Sequence, residues 1–326
     1  MKLIVNKNTS PYFNLACEEY LLKSQNDSCV MLWRNEKSVI VGRNQNTILE
    51  INKSYCDTNN IKVVRRLSGG GAVFHDMGNV NYTLISKREK EKVNSFKDNS
   101  LAVIDFLKSQ YNISALNEGR NDIKIEGNKI CGMAECVFED RLLFHCCILF
   151  NGSIKDLALA LKPKKIKAKT FAIKSVKAKV KNISSFVENV STADFFDSFV
   201  EYLLKINNLE KPYYLSDKEI AEIEKLAEEK YKKDSWNYNE NVKFNYKNSV
   251  KLQNGIVEIS LSLKDDVIEK ACISGDFFGI CDISQIETAL VGVKFDTQKI
   301  AKTLSKFNIS NYITSATTND ILSLLS

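Results

Sequence analysis

"RRLSGGGAVFHDMGNVNYT", Arg65 to Thr83, places three consecutive glycines between two arginines and a histidine. The chain has only 13 glycines in 326 residues, so three in a row are a concentrated expense. Each residue without a Cβ weakens a strand or helix by roughly 0.5–1 kcal/mol. Apolar runs flank the glycines, "KVVRRL" before and "AVFHD" after, and predict strand, glycine turn, strand. The spacing is not G-x-G-x-x-G, and no Lys followed by Ser or Thr closes the loop, which excludes a dinucleotide fingerprint and a P-loop. Two readings stay open from this stretch alone. One is a tight loop whose bare amides hold an anion, with Arg65 and Arg66 offering charge-assisted, bidentate bonds to phosphate or carboxylate. The other is a glycine-rich hairpin with β-bulges.

Outward from the glycines, the apolar spacing assigns most elements. Ser10 is placed to cap a first helix, Pro11 suits its first turn, and Phe13, Ala16, Cys17, Tyr20 and Leu21 form one apolar stripe. "CVMLWR", "SVIVGR" and "VNYTLIS" read as strands, a helix follows near Leu101–Gln110, and "DIKIEGNKICGMAECVFEDRLLFHCCILFN" reads as hairpins turning at Glu126-Gly127-Asn128 and Glu139-Asp140. Helices return in "STADFFDSFVEYLLKI" and after the capping box Ser216-x-x-Glu219. In "GIVEISLSL" the alternation puts Val257, Ile259, Leu261 and Leu263 on one face, and two short helices near Gln298–Phe307 and Asn319–Leu325 close the chain. This predicts an α+β architecture in two domains, 1–245 and 246–326.

Composition narrows the class. With 44% hydrophobic and 26% charged residues the chain is globular, and no window holds the ~18 apolar residues of a membrane span. The short apolar N-terminus does not read as a signal peptide, so the expected location is cytoplasmic. Nine scattered cysteines without a C-x-x-C argue against a zinc cage or a disulfide framework. The net charge is +6, and Lys155–Asn182 carries ten lysines interleaved with apolar residues, which reads either as a solvated face or as an ordered surface for polyphosphate, nucleic acid or an acidic protein.

A second stretch bears on chemistry. "GRNDIKIEGNKICG", Gly119 to Gly132, sets Asn121-Asp122 ahead of one strand and Lys129 on the next, where a hairpin can bring them to one side; taken alone, Lys129 also reads as a surface lysine. A carboxylate beside a lysine can hold a metal-bound nucleotide while the ammonium neutralises a reacting phosphate. His75 and Asp76, adjacent on a strand, point to opposite faces and make no triad. Cys146 and Cys147 beside His145 can in principle form an acyl-enzyme, though their apolar flanks favour core cysteines.

With these stretches placed, the chain resembles the lipoate–protein ligase A family in "RRLSGGGAVFHDMGNVNYT", "GRNDIKIEGNKICGMA", "FHCCILFNGSIKDLALAL", "KSVKAKVKNIS" and "SGDFFGICDISQIETALVGVKFD". The resemblance implies a biotin/lipoate-ligase-like mixed sheet with flanking helices plus a small α/β C-terminal domain. It implies lipoate as substrate, ATP and Mg²⁺, and formation of lipoyl-AMP followed by transfer to a lysine of a lipoyl domain, in 2-oxoacid dehydrogenase E2 subunits or glycine-cleavage H protein. It further implies a monomer with no nucleic-acid or membrane partner. Carried onto this chain, Lys129 is the catalytic residue, and Arg65, Arg66, Ser68, Gly71, Ala72, Val73, Phe74, Asp122 and Lys129 hold ATP and the adenylate. Gly70, His75, Lys129, Gly132 and His145 form the lipoate pocket, and Asp122 is the metal ligand. Cys131 stands where serine is common, Met133 replaces a smaller residue, Cys146-Cys147 follow His145 in place of Gly-Thr, and Lys177 and Lys179 replace arginines. These departures bear on acyl-chain preference and efficiency more than on reaction class. The competing readings are an ATP-independent octanoyl or lipoyl transferase working through a Cys146 or Cys147 thioester, and a non-catalytic protein that binds lipoyl domains through the lysine-rich segment.

Overall fold

The computed structural model describes residues 1–88, 96–161, 179–238, 243–253 and 255–325. Within them the strands are β1 (Lys2–Val5), β2 (Cys29–Trp33), β3 (Ser38–Val41), β4 (Lys62–Arg65), β5 (Val73–His75), β6 (Asn79–Lys87), β7 (Leu116–Glu118), β8 (Asp122–Ile125), β9 (Asn128–Phe138) and β10 (Arg141–Leu149), then β11 (Tyr246–Leu252), β12 (Gly255–Lys264) and β13 (Val267–Gly275). Among the described residues seven strands form the main sheet, ordered β1-β2-β6-β10-β9-β8-β7. β1 runs parallel to β2, and the remaining neighbours are antiparallel, so the sheet is mixed.

Side-chain alternation gives this sheet two buried faces. Val30 and Leu32 on β2, Val80 and Tyr82 on β6, and Phe144, Cys146 and Ile148 on β10 face one way. Helices Leu101–Tyr111 and Thr192–Ile206 cover that side, with Phe106 stacked on Phe199 at 4.3 Å between ring centroids. Cys29, Met31 and Trp33 face the other way, beneath helix Pro11–Ser24. That helix starts at Pro11 as its sequence predicts, yet the Ser10 side chain makes no capping bond. It is buried nearly all round, which takes Glu18 and Glu19 into the interior.

The glycine stretch departs from the simple expectation of strand, turn and strand. β4 and β5 do not pair with each other; each flanks β3 in a small sheet ordered β4-β3-β5, parallel to β4 and antiparallel to β5. The bulged hairpin is therefore not formed. The other predicted turns hold. Glu126 and Gly127 both have positive φ, as a tight two-residue hairpin requires, and Glu139 does likewise. Ser216 and Glu219 form the reciprocal capping box.

Residues 246–325 carry their own sheet, β11-β12-β13, with Val257, Ile259 and Leu261 fully buried against helices Ser284–Leu290 and Thr297–Leu304. The loop after β13 reaches back to the glycine stretch. Gly70 N–H donates to Phe277 O at 3.3 Å, and Gly275 N–H to Asn44 O at 2.8 Å. Phe278 inserts beside Phe96, 5.5 Å between centroids, and so joins the core of the main sheet. Among the described residues no helix is long and apolar enough to cross a membrane.

Candidate active site

The register of the main sheet lines up one row of residues across five strands. Trp33 on β2 pairs with Asn81, Asn81 with Cys147, Cys147 with Gly132, and Gly132 with Asp122. Directly opposed residues share a face, and all five line one cavity of about 250 Å³. Val73 and His75 from the small sheet, Ala72 just before them, Leu15 from the first helix and Arg66 close over that floor. At its open end stand Arg120, Asn121, Lys129 and, from the C-terminal lobe, Asp276.

The hairpin brings Lys129 and Asp122 together, as its sequence predicts. Lys129 Nζ lies 2.6 Å from Asp122 Oδ1, with both side chains about a fifth exposed. Gly132 makes this possible: a Cβ there would sit 3.1 Å from Lys129 Nζ and 3.2 Å from Cε, so the missing side chain is room for the ammonium. On the outer edge of β9, Lys129 N–H donates to Lys179 O at 2.8 Å and Lys181 N–H to Lys129 O at 3.0 Å. Lys177 and most of the lysine-rich segment, 162–178, lie outside the described residues.

The three glycines have separate tasks. A Cβ at Gly69 would come within 2.4 Å of Phe277 O, and one at Gly70, where φ is +88°, within 2.8 Å of the Phe278 ring. Gly42 has the same need, since its Cβ would fall 2.0 Å from Gly70 O. A Cβ at Gly71 would meet nothing within 4 Å, and Gly71 is the one of the three that lines the cavity. Two of the glycines therefore serve the approach of the C-terminal lobe, and one leaves backbone open to a ligand.

The arginines are also divided. Arg65 is buried and spends its donors on Gly42 O, Arg43 O, Gln45 O, Thr47 Oγ1, Trp236 O and Asn237 O. It holds the 42–47 loop and does not line the cavity. Arg66 does line it; Nε donates to Ser68 Oγ, Nη1 to Ile40 O, and Nη2 to Gly69 O and Gly71 O. Burial pulls the Arg66 pKa down to about 10, which leaves it cationic at neutral pH. Ser68, Gly70 and Phe74 also stand outside the lining; Val73 and His75 alternate toward the cavity while Phe74 turns into the opposite core.

Both histidines line the cavity in fixed settings. His145 Nε2 meets Ser68 Oγ at 2.7 Å, and Nδ1 meets Glu18 Oε1 at 2.9 Å. The Glu18 carboxylate accepts from Nδ1–H, and Nε2 pairs with the Ser68 hydroxyl, which also accepts from Arg66 Nε. Thr83 Oγ1 also donates to Glu18 Oε1, at 2.6 Å, and takes a bond from Trp33 Nε1 at 2.9 Å. His75 sits beside Trp33, 6.1 Å between centroids, with Nδ1 3.1 Å from Asn35 Nδ2. Burial drives the His75 pKa down to about 3, so the ring is neutral. Cys131, Cys146 and Cys147 are buried free thiols, and burial pushes the Cys147 thiol far above its ordinary range. An unionised thiol such as Cys147 is a poor nucleophile, and among the described residues neither Cys146 nor Cys147 hydrogen-bonds a basic side chain.

Glu18, Trp33, Asn81, Arg120 and Asp276 are wall or network residues that the sequence did not single out. One signal was present. Asn79, Asn81 and Thr83 alternate as polar residues along a strand that is buried on both sides, and a buried polar face marks either a network or a site.

Residues 10–204 match the model for the lipoyl protein ligase A/B catalytic domain, and residues 241–325 match that for the bacterial lipoate protein ligase C-terminus. The chain is 37% identical over 331 residues to the Bacillus subtilis lipoate-protein ligase LplJ, with both chains covered in full. A solved structure of LipL1 from P. falciparum in complex with lipoate is similar at 26% identity and a TM-score of 0.82, covering 99% of this chain and 97% of that one. A bi-partite lipoate protein ligase from Thermoplasma acidophilum, solved in a study of that ligase and its E2 lipoyl domain, is 25% identical with a TM-score of 0.63, covering 72% of this chain and 95% of that one.

Proposed function

The chain belongs to the lipoyl protein ligase A/B family, and on that premise we propose that it is an ATP-dependent lipoate–protein ligase. The observation that carries the reading is the Lys129–Asp122 pair, seated over Gly132 at the open end of a cavity that runs back to buried residues. A carboxylic acid lying along the row puts its carboxylate beneath the Lys129 ammonium and its chain toward Trp33.

The chemistry follows from what a carboxylate lacks. It resists attack by an amine until one oxygen becomes a good leaving group. One lipoate oxygen bonds to the α-phosphorus of ATP and pyrophosphate departs, giving lipoyl-AMP. The acceptor lysine's amine then attacks the acyl carbon, AMP leaves, and an amide forms. Neither step needs an enzyme nucleophile, so Cys146 and Cys147 can stay buried. The chain contributes position and charge: Lys129 spans carboxylate and phosphate, Arg66 keeps the Gly69–Gly71 loop in shape, and the open Gly71 backbone lets the adenylate lie close.

The donor set suits Mg²⁺, which takes one or two carboxylates and completes its shell with phosphate oxygens and water. Asp122 and Asp276, the carboxylates on the cavity wall, would hold it; bound with ATP, the ion neutralises phosphate charge. The archaeal relative studied with its E2 lipoyl domain supports lipoyl domains as the acceptor class, with E2 subunits and glycine-cleavage H protein as the proposed members. All nine cysteines are free thiols, which suits a reducing cytoplasm.

The test is lipoate-dependent exchange of labelled pyrophosphate into ATP, followed by the mass shift of a lipoyl domain. Wild-type protein is expected to give both, and Lys129→Ala neither while remaining folded. Near-normal exchange in Lys129→Ala overturns the role assigned to Lys129; absence of exchange in wild type overturns the ligase reading.

A further inference from the structure

The buried end of the cavity is not purely apolar. Trp33, Ile40 and Leu15 line it, but so do His75, 4% exposed, and Asn81, 2% exposed. His75 Nε2 and Asn81 Nδ2 are both buried without a hydrogen-bond partner among the described residues. A buried donor left unpaired costs about 1–3 kcal/mol, and two at one end of one cavity call for an acceptor there.

The polarity of His75 Nε2 follows from a chain of amides. Asn14 Nδ2 is identified as nitrogen because it donates to two carbonyls, Asn8 O at 2.9 Å and Arg34 O at 3.1 Å. Its two hydrogens are shared among these and Asn35 Oδ1, at 2.8 Å the shortest of the three, so Asn35 turns its Nδ2 to His75 Nδ1. Nδ1 therefore accepts, and a neutral ring carries its hydrogen on Nε2. Asn35 is fully buried and acts as a positioning residue: it sets the tautomer without touching the ligand.

Distance identifies the ligand atoms. From Gly132, under the Lys129 ammonium, the row crosses Cys147 to Asn81, two strand spacings or about 10 Å. An extended eight-carbon acid, built of bonds of about 1.5 Å in a zigzag, spans roughly 9 Å. We propose that His75 Nε2–H and Asn81 Nδ2 recognise a hydrogen-bond acceptor at the distal end of the acyl chain, and so select an acid bearing sulfur near its sixth to eighth carbons over a plain alkyl acid. This rests on the ligase reading and names the specificity element within it. Lipoate has ring sulfurs at that reach, and octanoate has only hydrocarbon.

Two measurements test it. The first is the ratio of kcat/KM for lipoate to that for octanoate in pyrophosphate exchange. Asn81→Leu keeps the shape and removes the donor, and is expected to lower the ratio about tenfold, the worth of one to two such bonds; a ratio within twofold of wild type overturns the proposal. The second is ¹⁵N NMR of the imidazoles in wild-type protein without ATP, where the chain's two histidines keep the spectrum simple. The His75 hydrogen is expected on Nε2, its resonance to move with lipoate and not with octanoate, and Asn35→Leu to admit the Nδ1–H form. An Nδ1–H ring in wild type, equal shifts with both acids, or an Asn35→Leu ring that stays wholly Nε2–H overturns it. Because this readout needs only binding, a lack of exchange would sink the ligase reading and still leave the selectivity decided.

Discussion

Gly132→Ala isolates the geometry on which the proposed chemistry depends. The glycine lies in a strand without positive φ, so alanine suits its backbone and recovers roughly 0.5–1 kcal/mol of strand stability. Its methyl would stand 3.1 Å from Lys129 Nζ and 3.2 Å from Cε. Both atoms belong to the far end of a flexible side chain, which can yield by a few tenths of an ångström while the sheet stays in place. The ammonium then leaves the position that puts it 2.6 Å from Asp122 and, in the proposed binding mode, over the substrate carboxylate. A bond to a charged group contributes about 1.5–3 kcal/mol, and each 1.36 kcal/mol is about tenfold in rate. The expected loss in kcat/KM for lipoate-dependent pyrophosphate exchange is therefore about 10- to 100-fold, with a melting temperature equal to or slightly above wild type. Exchange within twofold of wild type would show that Lys129 does not act from above Gly132. A melting temperature several degrees lower would refute the claim that the lysine, and not the sheet, gives way.

Three further outcomes follow from the packing. Gly69→Ala sets a methyl 2.4 Å from the rigid Phe277 carbonyl and is expected to cost about 1–3 kcal/mol, whereas Gly71→Ala meets nothing and should melt as wild type does; equal melts for the two would refute the separate tasks given to the glycines. Glu18→Ala strands the Thr83 hydroxyl and His145 Nδ1 in the interior and should destabilise by about 2–4 kcal/mol in denaturant titration, against a negligible change if that network carried no stability. Glu135, on β9 and bonded by Asn99 Nδ2 at 3.0 Å, has its pKa raised by burial to about 7, so its cost is absent below the unfolded value near 4.5 and grows as pH rises toward 7. Glu135→Gln keeps the Asn99 bond and should stabilise by up to about 3 kcal/mol at pH 8 and by nothing at pH 4; the same difference at both values would refute the assignment.

Local physics made much of this protein readable in one dimension. Short apolar runs, alternation and the 3.6-residue pattern located most strands and the long helices, though not β1, β7 or β13. The tight turn at Glu126-Gly127 made the approach of Asp122 and Lys129 predictable, because a hairpin's register follows from its turn. The reading failed where contacts are distant in sequence. Nothing near Gly69 and Gly70 announces Phe277 and Phe278, some two hundred residues away, so two glycines that serve close packing looked like ligand backbone. β4 and β5, separated by a glycine turn, resemble a hairpin, yet each pairs with β3.

Arg65 marks the same boundary. Sequence establishes a cation beside a glycine loop; only the fold reveals that the carbonyls of Gly42, Arg43 and Gln45 and the Thr47 hydroxyl are waiting to take its donors. By itself, then, the sequence determined the elements, the lysine–carboxylate hairpin and the family, because these depend on short-range periodicity, turn chemistry and residue order. The tertiary structure alone decided which polar groups are spent inside the protein and which are left for a ligand. Hydrogen-bond satisfaction is a closed count over neighbours in space, and neither the orphaned donors of His75 and Asn81 nor the saturated ones of Arg65 can be counted along a line.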